Sequence, residues 1–327
     1  MKYTNISAFI FILVTMFITS CSKNNEHFFS GNAFGTVYYI SIIDNYNNNP
    51  SQIKSNIENI IYNIDNSASN YNKNSEISIF NLSNTTSYKL ISSNLYNIIS
   101  KANKISNLTN GYFDITVGDI KIKKGFYLNP QKVVKGKYRN FNYSDIVLSE
   151  KKRSIKKNHK NIYIDLSGIA KGYAVDLIYN YLLSININNF FINFGGEIKV
   201  HNSENPVRVV IDDPSEKTQY IEEIFLQNKS VATSGTYNDT VNYKGKDISH
   251  IINPKTLKNV DNLKLLVSVI HSECVTADAI ATGLIAMDHK DIISFSNANN
   301  IASMLILFNE NKLEKHYSRE FTKYLTE

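Results

Sequence analysis

The sequence predicts an α+β fold, read as one catalytic unit of one or two lobes. Strand and helix signals alternate along the chain without any internal repeat, and no Pro/Gly/Ser-rich linker divides it. Beyond the first twenty residues no apolar run approaches the ~18 needed to cross a bilayer, which removes multi-span membrane proteins.

The elements follow in chain order. Thr36 to Ile43 (TVYYISII) is β-branched and aromatic, hence a strand. Ser51 to Ile64 puts Ile53, Ile57, Ile60, Ile61 and Ile64 on one helical face behind the start signal Pro50-Ser51. Ser92 to Ser106 repeats that spacing with Leu95, Ile98, Ile99 and Ala102. Lys171 to Leu183 reads as a third helix, and Phe190 to Phe194 as a buried strand running into Gly195-Gly196. Val207 to Ile211 and Leu265 to Ile270 are strands, Thr276 to Met287 an Ala-rich helix, and Ala302 to Phe308 a late strand. The region Lys121 to His159 is basic, Asn-rich and weakly periodic, and it yields no element.

Composition sets outer limits. Of 327 residues, 43% are hydrophobic and 20% charged, enough apolar surface to exclude a wholly disordered chain. The 35 Lys+Arg exceed the 29 Asp+Glu by only 6. The densest basic stretches, Lys121 to Lys124 and Lys151 to Lys157, lack the interleaved aromatics of a base-stacking platform. They read as solvated lysine faces, and no nucleic-acid partner is expected. The many Asn fit AT-rich coding as well as any function.

The two cysteines, Cys21 and Cys274, are too few for a disulfide framework or a zinc site. Met1 to Asn5 carries a single Lys, the apolar stretch Ile6 to Ile18 follows, and Thr19-Ser20 ends the segment, which reads as a secretory signal. Ile18-Thr19-Ser20-Cys21 resembles a bacterial lipobox, in which the Cys becomes the lipidated first residue; an ordinary signal peptide is the alternative. On the lipobox reading Cys21 carries acyl chains, residues 21–29 form the anchor and tether, and residues 30–327 form the functional domain. The protein is then expected on the outer side of the cytoplasmic membrane, facing the periplasm. Cys274 reads as a small buried residue.

Four segments group residues of chemical interest. Asp165 to Asp176 (DLSGIAKGYAVD) reads as a strand end followed by a helix start, with free N–H groups and Lys171 facing a possible anion. The same pattern also suits a helix that uses Gly for close packing. Asp278 and Thr282 lie four apart on the Ala-rich helix and could give oxygen ligands to a hard cation such as Mg²⁺, or be a dipole-stabilised Asp and an exposed Thr. Ala232-Thr233-Ser234-Gly235 allows close approach by a ligand, and His250 beside the Asn253-Pro254 turn could act as base, phosphate contact or structural residue. Gly111 to Gly118 (GYFDITVG) sets an aromatic-acid pair in a glycine-bounded turn or core strand.

In this order, with Phe34-Gly35-Thr36, Ser69-Asn70-Tyr71 and Asn74 to Ser78 ahead of them, the segments resemble the FAD:protein FMN transferases, the ApbE family. The resemblance spans roughly residues 30 to 325. It implies mixed or antiparallel sheets with packed helices and FAD in a cleft between two lobes. It also implies Mg²⁺-dependent transfer of FMN from FAD to a Thr or Ser hydroxyl of an acceptor protein, with release of AMP. Carried over by position, it implies metal ligation by the carbonyls of Gly168 and Ala281, the Asp278 carboxylate and Thr282. Phe34, Tyr71, Tyr112, Phe113, Asp114, Asp165, Lys171 and Ile252 are implied to line the FAD site, and His250 to be the catalytic base or phosphate contact. Acceptors implied by the family are subunits of membrane ion-translocating redox complexes, of the sodium-pumping quinone reductase or Rnf type.

This chain departs from the family at four places. Phe34 replaces a Met, Lys124-Gly125-Phe126 lacks a Trp, Asn253 stands where the family has Asp, and Leu257 where it has Gly. The Asn253 change bears most on the orientation of His250. Two other functions fit the same residues: an FAD pyrophosphatase that uses water in place of the hydroxyl, and a non-catalytic periplasmic flavin-binding lipoprotein.

Overall fold

The computed structural model describes residues 26–44, 48–127, 140–202, 204–213, 220–236, 240–260, 264–309 and 312–325. The signal segment, Cys21 and the first part of the tether lie outside the described residues. Strand β1 (Glu26–Ala33) begins inside the segment read as tether. It pairs residue for residue with β2 (Thr36–Ile43), which buries Tyr38, Ile40 and Ile42 by strict alternation. The two-residue turn between them holds Phe34 at φ 50° and Gly35 at φ 75°. Such a left-handed pair matches the twist of a tight hairpin.

Helix α1 (Pro50–Ala68) starts where Asn49 accepts from the Ser51 N–H with Pro50 in the first turn, and buries Ile53, Ile57, Ile61 and Ile64. After α2 (Glu76–Leu82) and the short β3 (Lys89–Leu90), Ser92 caps α3 (Ser93–Leu108) through the Leu95 N–H. The illegible region contains α4 (Gly118–Lys123), β4 (Ile146–Ser149) and β5 (Ser154–Lys157). Then come α5 (Ala170–Ser184), β6 (Phe190–Phe194), β7 (Glu197–His201), β8 (Val207–Asp212), β9 (Tyr220–Leu226) and β10 (Ser230–Gly235). Two small hairpins follow, β11 (Thr240–Tyr243) with β12 (Lys246–Ser249) and β13 (Ile252–Asn253) with β14 (Lys258–Asn259). The chain continues through β15 (Lys264–His271), α6 (Cys274–Ile285), α7 (His289–Ala298), β16 (Ala302–Asn309) and β17 (Lys312–Tyr317).

The central sheet runs β1-β2-β6-β7-β10-β15-β16-β17, every neighbouring pair antiparallel. One face carries α1, α3, α5 and α6 over the larger apolar core. The other packs the β8–β9 hairpin and Phe321 on Val200, Val231, Met304 and Ile306. The antiparallel α+β expectation therefore holds. Ala232 to Gly235, read as a ligand-facing small-residue run, is part of a central strand between β7 and β15, where small side chains let α6 sit close on the sheet.

Two expectations need correction. Lys121 and Lys157 do not belong to solvated faces. Lys157 is fully buried, its ammonium donating to the carbonyls of Phe80, Asn81 and Ile162, and Lys121 is paired with Asp165. Asp165 to Gly168 is also not a strand end. Tyr163 makes a lone parallel bridge to Val117, the Asp165 N–H donates to the Ile115 carbonyl, residues 167–169 turn into α5, and side-chain amides hold Ile164 and Leu166. Asn81 receives the Ile164 N–H and donates to the Ile164 carbonyl, while Asn70 receives the Leu166 N–H and donates to the same Ile164 carbonyl.

Candidate active site at the α5–α6 junction

Helices α5 and α6 pack antiparallel and cap each other. Neither has a side-chain cap of its own. Asp278 of α6 accepts the Gly172 N–H of α5 at 2.9 Å, and Asp176 of α5 accepts the Cys274 and Val275 N–H groups of α6 at 3.0 and 2.9 Å. Each carboxylate thus satisfies N–H groups left open at the other helix's start. The approach depends on glycine, the one residue without a Cβ. A Cβ on Gly172 would lie 2.5 Å from the Cys274 carbonyl oxygen and 2.8 Å from the Asp278 Cβ. The close-packing reading of the glycine in DLSGIAKG describes this junction.

Around this junction the fold collects Gly168, Lys171, Glu197, Ser234, Asp278 and Thr282. A Cβ on Gly168 would meet Thr282 Oγ1 at 2.8 Å, and Thr282 Oγ1 lies 3.4 Å from Ser234 Oγ. Ala281 is fully buried on α6. Lys171 Nζ donates to Glu197 Oε1 at 2.8 Å; Glu197 is sealed from solvent, whereas Lys171 keeps 28% of its side chain exposed. Burial pushes the Asp278 carboxyl above the usual carboxylate range, opposed by Lys171 and the Gly172 N–H. Burial raises Glu197 likewise, with Lys171 pulling down and Asp278 pushing up. Two buried carboxylates share one lysine, and Glu197 Oε2 has no hydrogen-bond partner. The charge balance and the all-oxygen donors suit a hard divalent cation. Among the described residues no cluster of three or more His, Cys, Asp or Glu side chains forms a metal site, so any cation here would rely on Asp278, Thr282 and carbonyl oxygens.

A second group lies along the 111–118 turn. Asp114 Oδ1 accepts from the Thr116 N–H and hydroxyl, and Oδ2 from the Tyr143 N–H, which fixes the turn. Tyr112 is half-buried, with Lys255 Nζ 3.9 Å from its ring centre, close enough for a cation–π contact. A cavity of about 540 Å³ opens here, lined by Gly111, Asp114, Phe141, Tyr143, Pro254 and Lys255. Phe113 and Ile252 are buried beneath the surface rather than lining it, Phe113 against Gly283 of α6 and Ile252 against Val117 and Ile120. Phe34 stacks on Phe194 at 5.4 Å, and the exposed Tyr71 leans on Tyr127, which in turn meets Tyr163.

Asp165 is buried and paired with Lys121 at 2.5 Å, and its carboxylate accepts the Ser167 N–H. Burial favours its neutral form, yet the Lys121 charge and the Ser167 bonds outweigh that and hold it below the ordinary carboxylate range. His250 sits half-buried on the bend between β12 and β13. Asn253 donates to the Ala286 carbonyl at the end of α6, and its Oδ1 accepts the Lys255 and Thr256 N–H groups. The amide thus ties the His250 segment to the helix that carries Asp278. An Asp could keep the turn but could not donate to Ala286. Leu257 adopts φ 58°. That left-handed backbone explains why Gly suits this place.

Sequence reasoning missed Lys121, Asp176 and Glu197. Charged residues alternating with Ile198 and Val200 directly after a buried strand, as Glu197 and Lys199 do in β7, were the available signal.

Fold and site together define a class: an antiparallel α+β protein whose two mutually capped helices meet at an oxygen-rich junction beside Lys171. The chain belongs to the ApbE family, which it matches over residues 34–305. It is 32% identical over 332 aligned residues to the FAD:protein FMN transferase of Buchnera aphidicola subsp. Schizaphis graminum, covering 97% of each chain. It is 29% identical to the FAD:protein FMN transferase of Vibrio cholerae, over 72% of this chain and 73% of that one. The solved Flavin Transferase ApbE from Vibrio cholerae superposes with a TM-score of 0.79 at 28% identity, over 92% of this chain and 99% of that one. The ApbE protein of Thermotoga maritima shares the fold with a TM-score of 0.80 at 24% identity, over 93% of this chain and 100% of that one.

Proposed function

We propose that this protein transfers the FMN part of FAD to a Thr or Ser hydroxyl of an acceptor protein and releases AMP. The observation that carries the reading is the α5–α6 junction, where Lys171 and two buried carboxylates converge beside Thr282 and Gly168. The names of the family relatives support it. The ring faces of Phe34, Tyr71 and Tyr112 offer stacking surfaces for the flavin. The cavity beside Tyr112, with Asp114 and Lys255 on its wall, accommodates part of FAD.

Asp278 and Thr282, with the carbonyls of Gly168 and Ala281, would hold Mg²⁺, which when bound supplies neutralisation of pyrophosphate charge. Lys171 offers a positive charge to the same phosphates. The acceptor oxygen forms a bond to the FMN phosphorus as the bond from that phosphorus to the bridging oxygen breaks. The bridging oxygen leaves with AMP, and the acceptor's hydroxyl proton passes to His250. Cys21, once lipidated, would hold the domain on the periplasmic side of the cytoplasmic membrane, within reach of redox-complex subunits that serve as acceptors.

The test is incubation with FAD, Mg²⁺ and a Thr-containing acceptor domain, read by intact mass and AMP release. Acceptor that gains one FMN phosphoester per AMP supports the reading. Free FMN and AMP with unchanged acceptor would assign a pyrophosphatase instead. His250→Ala should slow transfer roughly 10²–10⁴-fold while leaving FAD binding in place.

A further inference from the structure

We propose that Glu197 is a positioning residue that holds the Lys171 ammonium off Asp278 and so keeps that carboxylate open for a divalent cation. The proposal rests on the reading of Asp278 as a metal ligand. Three observations carry it. Glu197 projects from β7 with only 3% of its side chain exposed, and it receives the Lys171 ammonium at 2.8 Å. Its other oxygen, Oε2, has no hydrogen-bond partner, a costly arrangement for a buried residue with a merely structural role. Lys171 also attracts Asp278 electrostatically, so two buried acids compete for one ammonium.

The geometry settles that competition in one direction. Asp278 receives a backbone N–H from Gly172, while the lysine goes to Glu197. Without an anion on β7, Asp278 is a buried carboxylate that still attracts Lys171. An ammonium on Asp278 would occupy the oxygen a cation needs and cancel the charge that attracts it. Lys171 would at the same time leave the place from which it can meet a phosphate. Groups that orient or protect metal ligands in this way typically change metal affinity roughly 10–100-fold when altered.

The experiment compares full-length protein in detergent with Glu197→Gln and with the double variant Glu197→Gln, Lys171→Met. Mn²⁺ binding is followed by the loss of its free-ion magnetic resonance signal, with no FAD present, and folding by thermal melting. Glu197→Gln keeps the shape and an acceptor oxygen, so it should melt within a few degrees of wild type yet bind Mn²⁺ roughly 10–100-fold more weakly. Removing the lysine as well should restore affinity to within about threefold of wild type. Unchanged affinity in Glu197→Gln overturns the proposal and leaves the metal site standing. Affinity that stays low in the double variant overturns it too, since the loss would then not act through Lys171. Wild-type protein that binds no Mn²⁺ refutes the metal reading of Asp278 and this proposal together.

Discussion

Replacing Asp278 separates its two roles, because its carboxylate both caps α5 and, in the proposed reaction, binds a cation. Asp278→Asn keeps an oxygen at the Gly172 N–H, 2.9 Å away in the native protein, and removes only the charge. The native carboxyl is held above its unfolded value of 3.8, so its contribution favours folding at low pH and is lost as pH rises through the folded pKa. Above the unfolded pKa and without metal, wild type therefore bears a cost that the neutral amide avoids, and Asp278→Asn should be at least as stable. Asp278→Ala removes the acceptor as well and leaves a buried N–H unpaired, so it should fall about 1–3 kcal/mol below the Asn variant. At roughly 2–4 °C per kcal/mol for a large domain, the two variants should melt several degrees apart in EDTA. Activity should show the opposite grouping. Losing about 4 kcal/mol of charge stabilisation at the pyrophosphate, at about 1.36 kcal/mol per factor of ten, gives a drop in AMP release of roughly 10³-fold in both variants. The assays are melting in EDTA and timed AMP release with FAD, Mg²⁺ and acceptor. Wild-type turnover by Asp278→Asn would refute the metal assignment, and equal melting of the Asn and Ala variants would refute the cap.

Gly172→Ala should destabilise by about 1–3 kcal/mol despite alanine's better helix propensity, because its Cβ would press on the Cys274 backbone carbonyl; urea unfolding measures this, and a gain in stability contradicts the close approach. The Lys121–Asp165 pair contributes stability above the unfolded Asp value of 3.8 and loses it as pH falls through the lower folded pKa. Lys121→Met should strand a buried carboxylate, costing about 3–5 kcal/mol near neutral pH and much less in acid, as denaturant titrations at several pH values would show. Cys21→Ala should release the protein from membranes after a salt wash while leaving flavin transfer in vitro unchanged; persistent attachment argues against the lipid anchor.

The sequence by itself determined what is local and periodic. The strands Thr36–Ile43 and Phe190–Phe194 emerge with the bounds expected of them, and α1, α3, α5 and α6 within a few residues, because alternation and 3.6-residue spacing are written directly in the apolar pattern. The motif order likewise sufficed to place the chain in its family. Elements whose pattern is broken by polar residues were illegible. β7 buries Glu197 and Lys199, and their partners, Lys171 and Asp176 of α5 and the Ser272 carbonyl, make that tolerable. The Ala232 to Gly235 run reads only as small residues open to a ligand until β7 and β15 flank its strand. The segment ending at Asp165 resembles a strand end, yet Ile164 and Leu166 are held by Asn81 and Asn70 from far earlier in the chain. Lys121 and Lys157 look like surface lysines until their partners come from elsewhere. Tertiary structure alone decided these cases, because burying a polar group is stable only when its partner is present, and here the partner is supplied by a distant segment of the chain.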